Sequence, residues 1–128
     1  MLGEIHTWTG YLVFLVVVVA AFTAFGKAKD AKEFVPGPYV IALVALDLQV
    51  LLGLVTYGLG SAWEARPEIA YIHPLFALVA LGAGHALFGR AKRMPMAADA
   101  HRGAGRALIV ALIAIAIAIG IASAPAFL

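Results

Sequence analysis

Residues 7–26 read TWTGYLVFLVVVVAAFTAFG, a run of 20 positions without a single charged side chain. A hydrocarbon core of about 30 Å is crossed by about 20 helical residues at 1.5 Å each. This stretch is therefore long enough to span a bilayer, and it sets the terms on which the rest of the chain is read. Three more stretches have the same character, at 38–60, 70–89 and 105–124. The connections between them are short. The simplest architecture is a single all-α domain covering residues 1–128, an integral membrane antiparallel four-helix bundle running up and down. Composition agrees, with 64% hydrophobic and 12% charged residues and a mean hydropathy of +1.01. There is no room for a soluble domain, so any chemistry takes place within the membrane or at its surfaces.

The cations orient the bundle. Lys27, Lys29, Lys32, Arg90, Lys92, Arg93, Arg102 and Arg106 fall on the side of the first and third connections, and Arg66 alone falls on the other. By the positive-inside rule the first and third loops are cytoplasmic, and both termini and the second loop face outward from the cell (inner) membrane. The pI near 9.2 thus reflects topology, and nucleic acid is not an expected partner. The first span has no cationic region before it and exceeds a signal-peptide core, so it is expected to be retained. The absence of cysteine excludes disulfides, thiolate metal sites, iron–sulfur clusters and covalently attached haem.

Punctuation is clear. Pro36-Gly37-Pro38 closes a polar loop ahead of the second span, and Met94-Pro95-Met96 lies in the third connection. Trp8, Tyr11 and Trp63 are placed as interfacial anchors at the outer surface. The Ile-Ala alternation of the fourth span has a strand-like period, but its length favours a helix. On that helix Ala107, Ala111, Ala114, Ala118 and Ala122 form a stripe of small residues. Such a stripe packs closely against another helix, within the chain or in a homo-oligomer.

Ionisable side chains among apolar spans need a reason. His6 and His73 lie at the outer ends of the first and third helices, which run in the same direction. Two histidines on facing helices can hold a haem iron from both sides, provided small residues leave room for the ring. Gly10 follows His6 by four residues and Ala77 follows His73 by four, each on its histidine's face, with Gly53 and Gly58 at the same end. Pro74 either opens the third helix or kinks one that begins near Pro67. The competing reading makes His6 and His73 interfacial residues that bind nothing.

His85 lies about 18 Å along the helix from His73 and about 120° around it. It has two candidate partners. His101, at the start of the fourth helix, would hold a second haem with it, and Asp47 in the second span would form a polar pair with it. His101-Arg102 also reads as an interfacial cation near phospholipid or a haem propionate. Gln49 is the other polar residue at depth.

The segment from Leu48 through Gln49-Val50-Leu51-Leu52-Gly53-Leu54-Val55-Thr56 resembles the Gln-x-x-Leu-Gly-x-x-Thr stretch of the haem A synthase family. His6 with Gly10 is similar to that family's histidine-bearing helix before the stretch, and Ile72-His73 with Ala77 to the one after it. The resemblance implies one four-helix half of a family built from two, with a histidine pair near the outer ends. The chain departs from the family in length, in having Glu4 two places before His6 with Thr7 after it, and in lacking a cysteine pair. Two haem-bearing halves would then require a homodimer.

The expected function is a small membrane b-type cytochrome. His6 and His73 are the iron ligands of a haem b, with His85 and His101 holding a possible second. It would transfer electrons from quinone or a respiratory complex, or handle haem for respiratory oxidases. The alternative is a non-redox scaffold or assembly factor whose histidines are interhelical polar contacts. A transporter or proton channel built on Asp47 and His85 lacks the broken helix pairs usual in transporters.

Overall fold

The computed structural model describes residues 1–124. Four long helices account for most of them: α1 (Leu2–Lys29), α2 (Gly37–Leu59), α3 (His73–Ala91) and α4 (Ala97–Ser123). A 3₁₀ turn at Ala62–Glu64 and a π-helical turn at Glu68–Ile72 lie between α2 and α3. No strand occurs among the described residues. All four helices, with the π turn counted in the third, are long and apolar enough to cross a membrane.

The helices outrun the apolar stretches that announce them. α1 begins five residues before the expected span, at Leu2, and α4 begins at Ala97 rather than at 105. Hydropathy marks where a helix is apolar, whereas backbone hydrogen bonding continues through its polar ends. The first turns of α4 carry Asp99 and Arg102, paired at 2.9 Å one turn apart. His6 and His101 consequently sit inside helices and not at their edges.

α4 packs against both α1 and α3, and α2 lies against α1 and α3. Its buried face is made of small residues. Ala100, Gly103, Ala104, Gly105, Ala107, Ala111, Ala114 and Ala118 are all buried, with His101, Leu108 and Ile115 the large exceptions. Ala20, Ala21 and Ala24 of α1 and Ala80, Gly84 and Ala91 of α3 are buried too. Backbones approach closely here: a Cβ on Gly103 would come within 2.9 Å of the Ala91 Cβ, and one on Gly105 within 2.8 Å of the Phe25 ring. The alanine stripe is thus used within the chain as far as Ala118, and Ala122 alone is exposed. Of the two uses open to the stripe, packing within the chain is the one seen here, against α1 and α3.

The helix ends follow local rules. Pro36 caps α2, and Pro38 in its first turn lacks an N–H that would have had no partner there. α1 ends with the Ala31 N–H donating to Ala28 O and the Lys32 N–H to Lys27 O. These are the paired bonds of a Schellman ending. Ala31 carries the left-handed backbone that this ending demands, at φ 50°. An L-residue with a Cβ is strained there by roughly 1–2 kcal/mol, which glycine avoids. Ala31→Gly should accordingly raise stability by about 1 kcal/mol, read as a higher SDS midpoint of the detergent-dispersed protein.

Candidate functional site

His6 and His73 come together. Their ring centroids are 6.0 Å apart and their planes stand at 89°. Both line a cavity of about 310 Å³ together with Gly10, Gln49, Gly53 and Ala77. That volume is at the small end of the range for ligand-binding cavities, about 300–1,000 Å³.

The helix that presents His73 is shaped by Pro74. Without an N–H, Pro74 cannot bond the carbonyl of Ala70 four residues earlier. The chain widens into the π turn, where the His73 N–H bonds to Glu68 O instead. The freed Ala70 carbonyl accepts a hydrogen bond from the Tyr57 hydroxyl at 3.0 Å. Of the two roles open to Pro74, the structure therefore selects the distorted helix that begins near Pro67.

Hydrogen bonding fixes the state of each ring. His73 Nδ1 lies 2.8 Å from Ala118 O. A carbonyl oxygen only accepts, so Nδ1 carries the proton and Nε2 keeps its lone pair. This is the orientation typical of metal-ligating histidines, whose other nitrogen donates to a carbonyl. His6 is held differently. Gln49 Nε2 donates to His6 O at 2.7 Å and lies 3.0 Å from His6 Nδ1, while Thr9 Oγ1 lies 2.7 Å from Gln49 Oε1. With the amide so placed, His6 Nδ1 accepts and Nε2–H donates. Ligation through Nε2 of His6 requires the proton to sit on Nδ1 and Gln49 to withdraw its N–H from that atom, because turning the amide in place would set Oε1 against the His6 carbonyl, which now accepts from Gln49 Nε2 at 2.7 Å.

The glycines serve neighbours already present. A Cβ on Gly53 would stand 2.9 Å from Cε1 of His6, and one on Gly10 would stand 3.0 Å from Gln49 Nε2. The space at these two positions, expected to admit a ring, is filled by the His6 imidazole and the Gln49 amide. Ala77 lines the cavity as expected.

His85 and His101 are given separate partners. His85 Nε2 donates to Asp47 Oδ1 at 2.7 Å, so of its two candidates the structure selects Asp47. His101 is fully buried. Its Nε2 is 3.1 and 3.0 Å from the carbonyls of Lys32 and Glu33 and must donate to them. Its Nδ1 therefore accepts, and takes the Tyr39 hydroxyl proton in a 2.6 Å bond. Phe34 covers the ring edge-on, with centroids 5.0 Å apart. With both nitrogens engaged, His101 is neither an exposed interfacial cation nor a free partner for a haem shared with His85. It joins α4 to α2 and to the loop after α1. The missed contributor is Tyr39, whose place directly after Pro36-Gly37-Pro38 was legible only as a helix start.

Among the described residues no three His, Asp or Glu side chains come together in a group able to hold a metal ion. The outer-end pair is a two-histidine arrangement. No protein-family model, curated protein or solved structure matches the chain.

Removing the Tyr39 hydroxyl leaves His101 Nδ1 buried without a donor, at a cost of roughly 1–3 kcal/mol. Tyr39→Phe should lower the SDS unfolding midpoint accordingly, and His101→Ala should lower it further by also opening a cavity. An unchanged midpoint for both would contradict this role.

Proposed function

We propose that the chain is a haem-binding integral membrane protein, an antiparallel four-helix bundle of b-type cytochrome character. The single observation that carries this is the His6–His73 pair. To hold one iron between them, two imidazoles would have to lie close together and each keep a ring nitrogen with a lone pair. The two ring centroids are 6.0 Å apart, and the His73 Nδ1 bond to Ala118 O leaves its Nε2 available, which supports the reading. His73 offers an available nitrogen, and His6 would offer its Nε2 once Gln49 leaves Nδ1. His6 and His73 would be the ligands, and the Ala77 face would border the ring.

Membrane insertion is supported by the inverted distribution of side-chain size. The interior is largely alanine and glycine, while Leu12, Leu15, Phe22, Leu48, Leu51 and Ile113 are exposed. Apolar surface this extensive along every helix fits a lipid solvent and not water. α1 alone extends about 42 Å, more than the hydrocarbon thickness. The bias of Lys and Arg places the loops after α1 and α3 in the cytoplasm, so the histidine pair lies toward the outer surface.

A haem held by His6 and His73 would supply one-electron transfer. This chain's own residues set the environment: Ala118 O orients His73, Gln49 sets the proton position on His6, and Tyr57 steadies the turn that aims His73. The partner would be quinone or a respiratory complex, and haem handling for an oxidase is the related role implied by the haem A synthase resemblance. One observation favours the non-redox scaffold instead, since every histidine ring has a hydrogen-bond partner within the protein.

The reduced-minus-oxidised visible spectrum of detergent-purified protein, with pyridine haemochrome quantification, separates these readings. The expected result is a sharp reduced α-band at one haem per chain, lost in both His6→Ala and His73→Ala and retained in His85→Ala. A colourless protein that fails to take up added haem would leave the scaffold in its place.

A further inference from the structure

The proposed haem site makes no use of the Asp47–His85 pair, yet this is the most exposed interhelical polar contact between side chains in the fold. The side chains are 38% and 46% exposed while joined at 2.7 Å. His85 lies six residues, about 9 Å, before the end of α3 at Ala91. Asp47 stands ten residues after Gly37 and twelve before Leu59, about 15 and 18 Å along α2. In a bilayer that is close to the middle of the hydrocarbon. Val44 and Leu51, three and four residues from Asp47 on α2, and Leu78, two turns from His85 on α3, are exposed and apolar. Ionisable groups at that depth face the bundle interior or a wet cavity, because hydrocarbon offers them nothing. Here they face outward, which requires that something polar cover them.

The face beside the pair is shaped for a close approach. Gly82, Ala86 and Gly89 fall within a strip about 60° wide along α3, at helical intervals of four and three residues. A Cβ on Gly82 or on Gly89 would meet nothing within 4 Å, and Ala86 is exposed. A small-residue strip lets a second helix backbone come near.

From these observations we infer that the α2–α3 face is a homodimer interface, closed by the Asp47–His85 pairs of two copies. Self-complementarity selects a second copy as the occupant. A two-fold axis presents the acid and base of one chain to the base and acid of the other. With His85 as the imidazolium, Nε2–H donates to Asp47 of its own chain and Nδ1–H to the carboxylate of the other, so that each carboxylate has two donors and no ionisable group faces lipid. A different protein would need its own acid–base pair at the same depth. A lipid-soluble ligand would cover the pair but leave the strip open. This interface differs from the α4 alanine stripe, which is occupied within the chain. The inference rests on the membrane part of the proposed function and is independent of haem.

The chain contains no cysteine, so one introduced thiol reports one position. Gly82→Cys and Ala86→Cys are placed separately on the α2–α3 face, and Ile113→Cys on the exposed side of α4 as a collision control. Oxidation in intact membranes should give a disulfide-linked dimer of this chain at one or both α3 positions and at least tenfold less at the control. Adding Asp47→Ala and His85→Ala should reduce the linked fraction several-fold, whereas Asp47→Asn, which still hydrogen-bonds, should reduce it less. Linkage absent at both α3 positions, equal to the control, or directed to a foreign chain would overturn the homodimer. Alkaline extraction keeps the two levels apart. Protein released from the membrane overturns the membrane reading, and protein retained but unlinked overturns the dimer alone.

Discussion

Close contact between α4 and its neighbours is the constraint on which the rest depends. Within an apolar solvent, burying one more leucine gains little, and helices associate through van der Waals packing and interhelical hydrogen bonds. Alanine and glycine permit that packing because their backbones can approach until main-chain atoms touch. Gly103 against Ala91 and Gly105 against Phe25 mark where the approach is tightest. Large side chains are displaced to the outside, the arrangement that the proposed lipid surroundings would solvate. The size gradient from small inside to large outside replaces the polarity gradient of a water-soluble core.

That packing also sets the polar chemistry. α4 brings the Ala118 carbonyl within 2.8 Å of His73 and buries His101 beneath Phe34 and Tyr39. Two histidines on one scaffold thereby reach opposite states. His101 has both nitrogens engaged and acts as a tie between helices, whereas His73 has one nitrogen fixed and the other left with a lone pair. The difference lies in the number of acceptors and donors that meet each ring, and residue type alone would not separate them. Pro74 supplies a further link. By removing one backbone bond it opens the π turn, and the Tyr57 hydroxyl repairs the loss.

Much of the helix plan is legible in the chain itself. Four apolar stretches, the Pro36-Gly37-Pro38 break and the Pro67–Pro74 region locate the elements, with ends that fall a turn or two short where α1 and α4 continue through polar residues. The meeting of His6 with His73 follows from their matched positions near the starts of helices on the same side. The Asp47–His85 contact follows from side chains that lean toward their own N-termini on neighbouring helices. The fates of Gly10, Gly53 and His101 are not legible in this way. Each depends on a side chain from a distant segment: Gln49, His6, and the Tyr39 hydroxyl with the Lys32 and Glu33 carbonyls.

By itself, then, the sequence determined the number, type and approximate limits of the helices, because length and hydropathy report directly on what can cross a hydrocarbon layer. Tertiary structure alone decided that α4 packs between α1 and α3, which glycines are filled, and which histidine nitrogens remain open. The physical reason is that a helix apolar on every side carries no polarity stripe to name its inner face. Side-chain size and the reach of a few hydrogen bonds make that choice, and both act only once the helices are in contact.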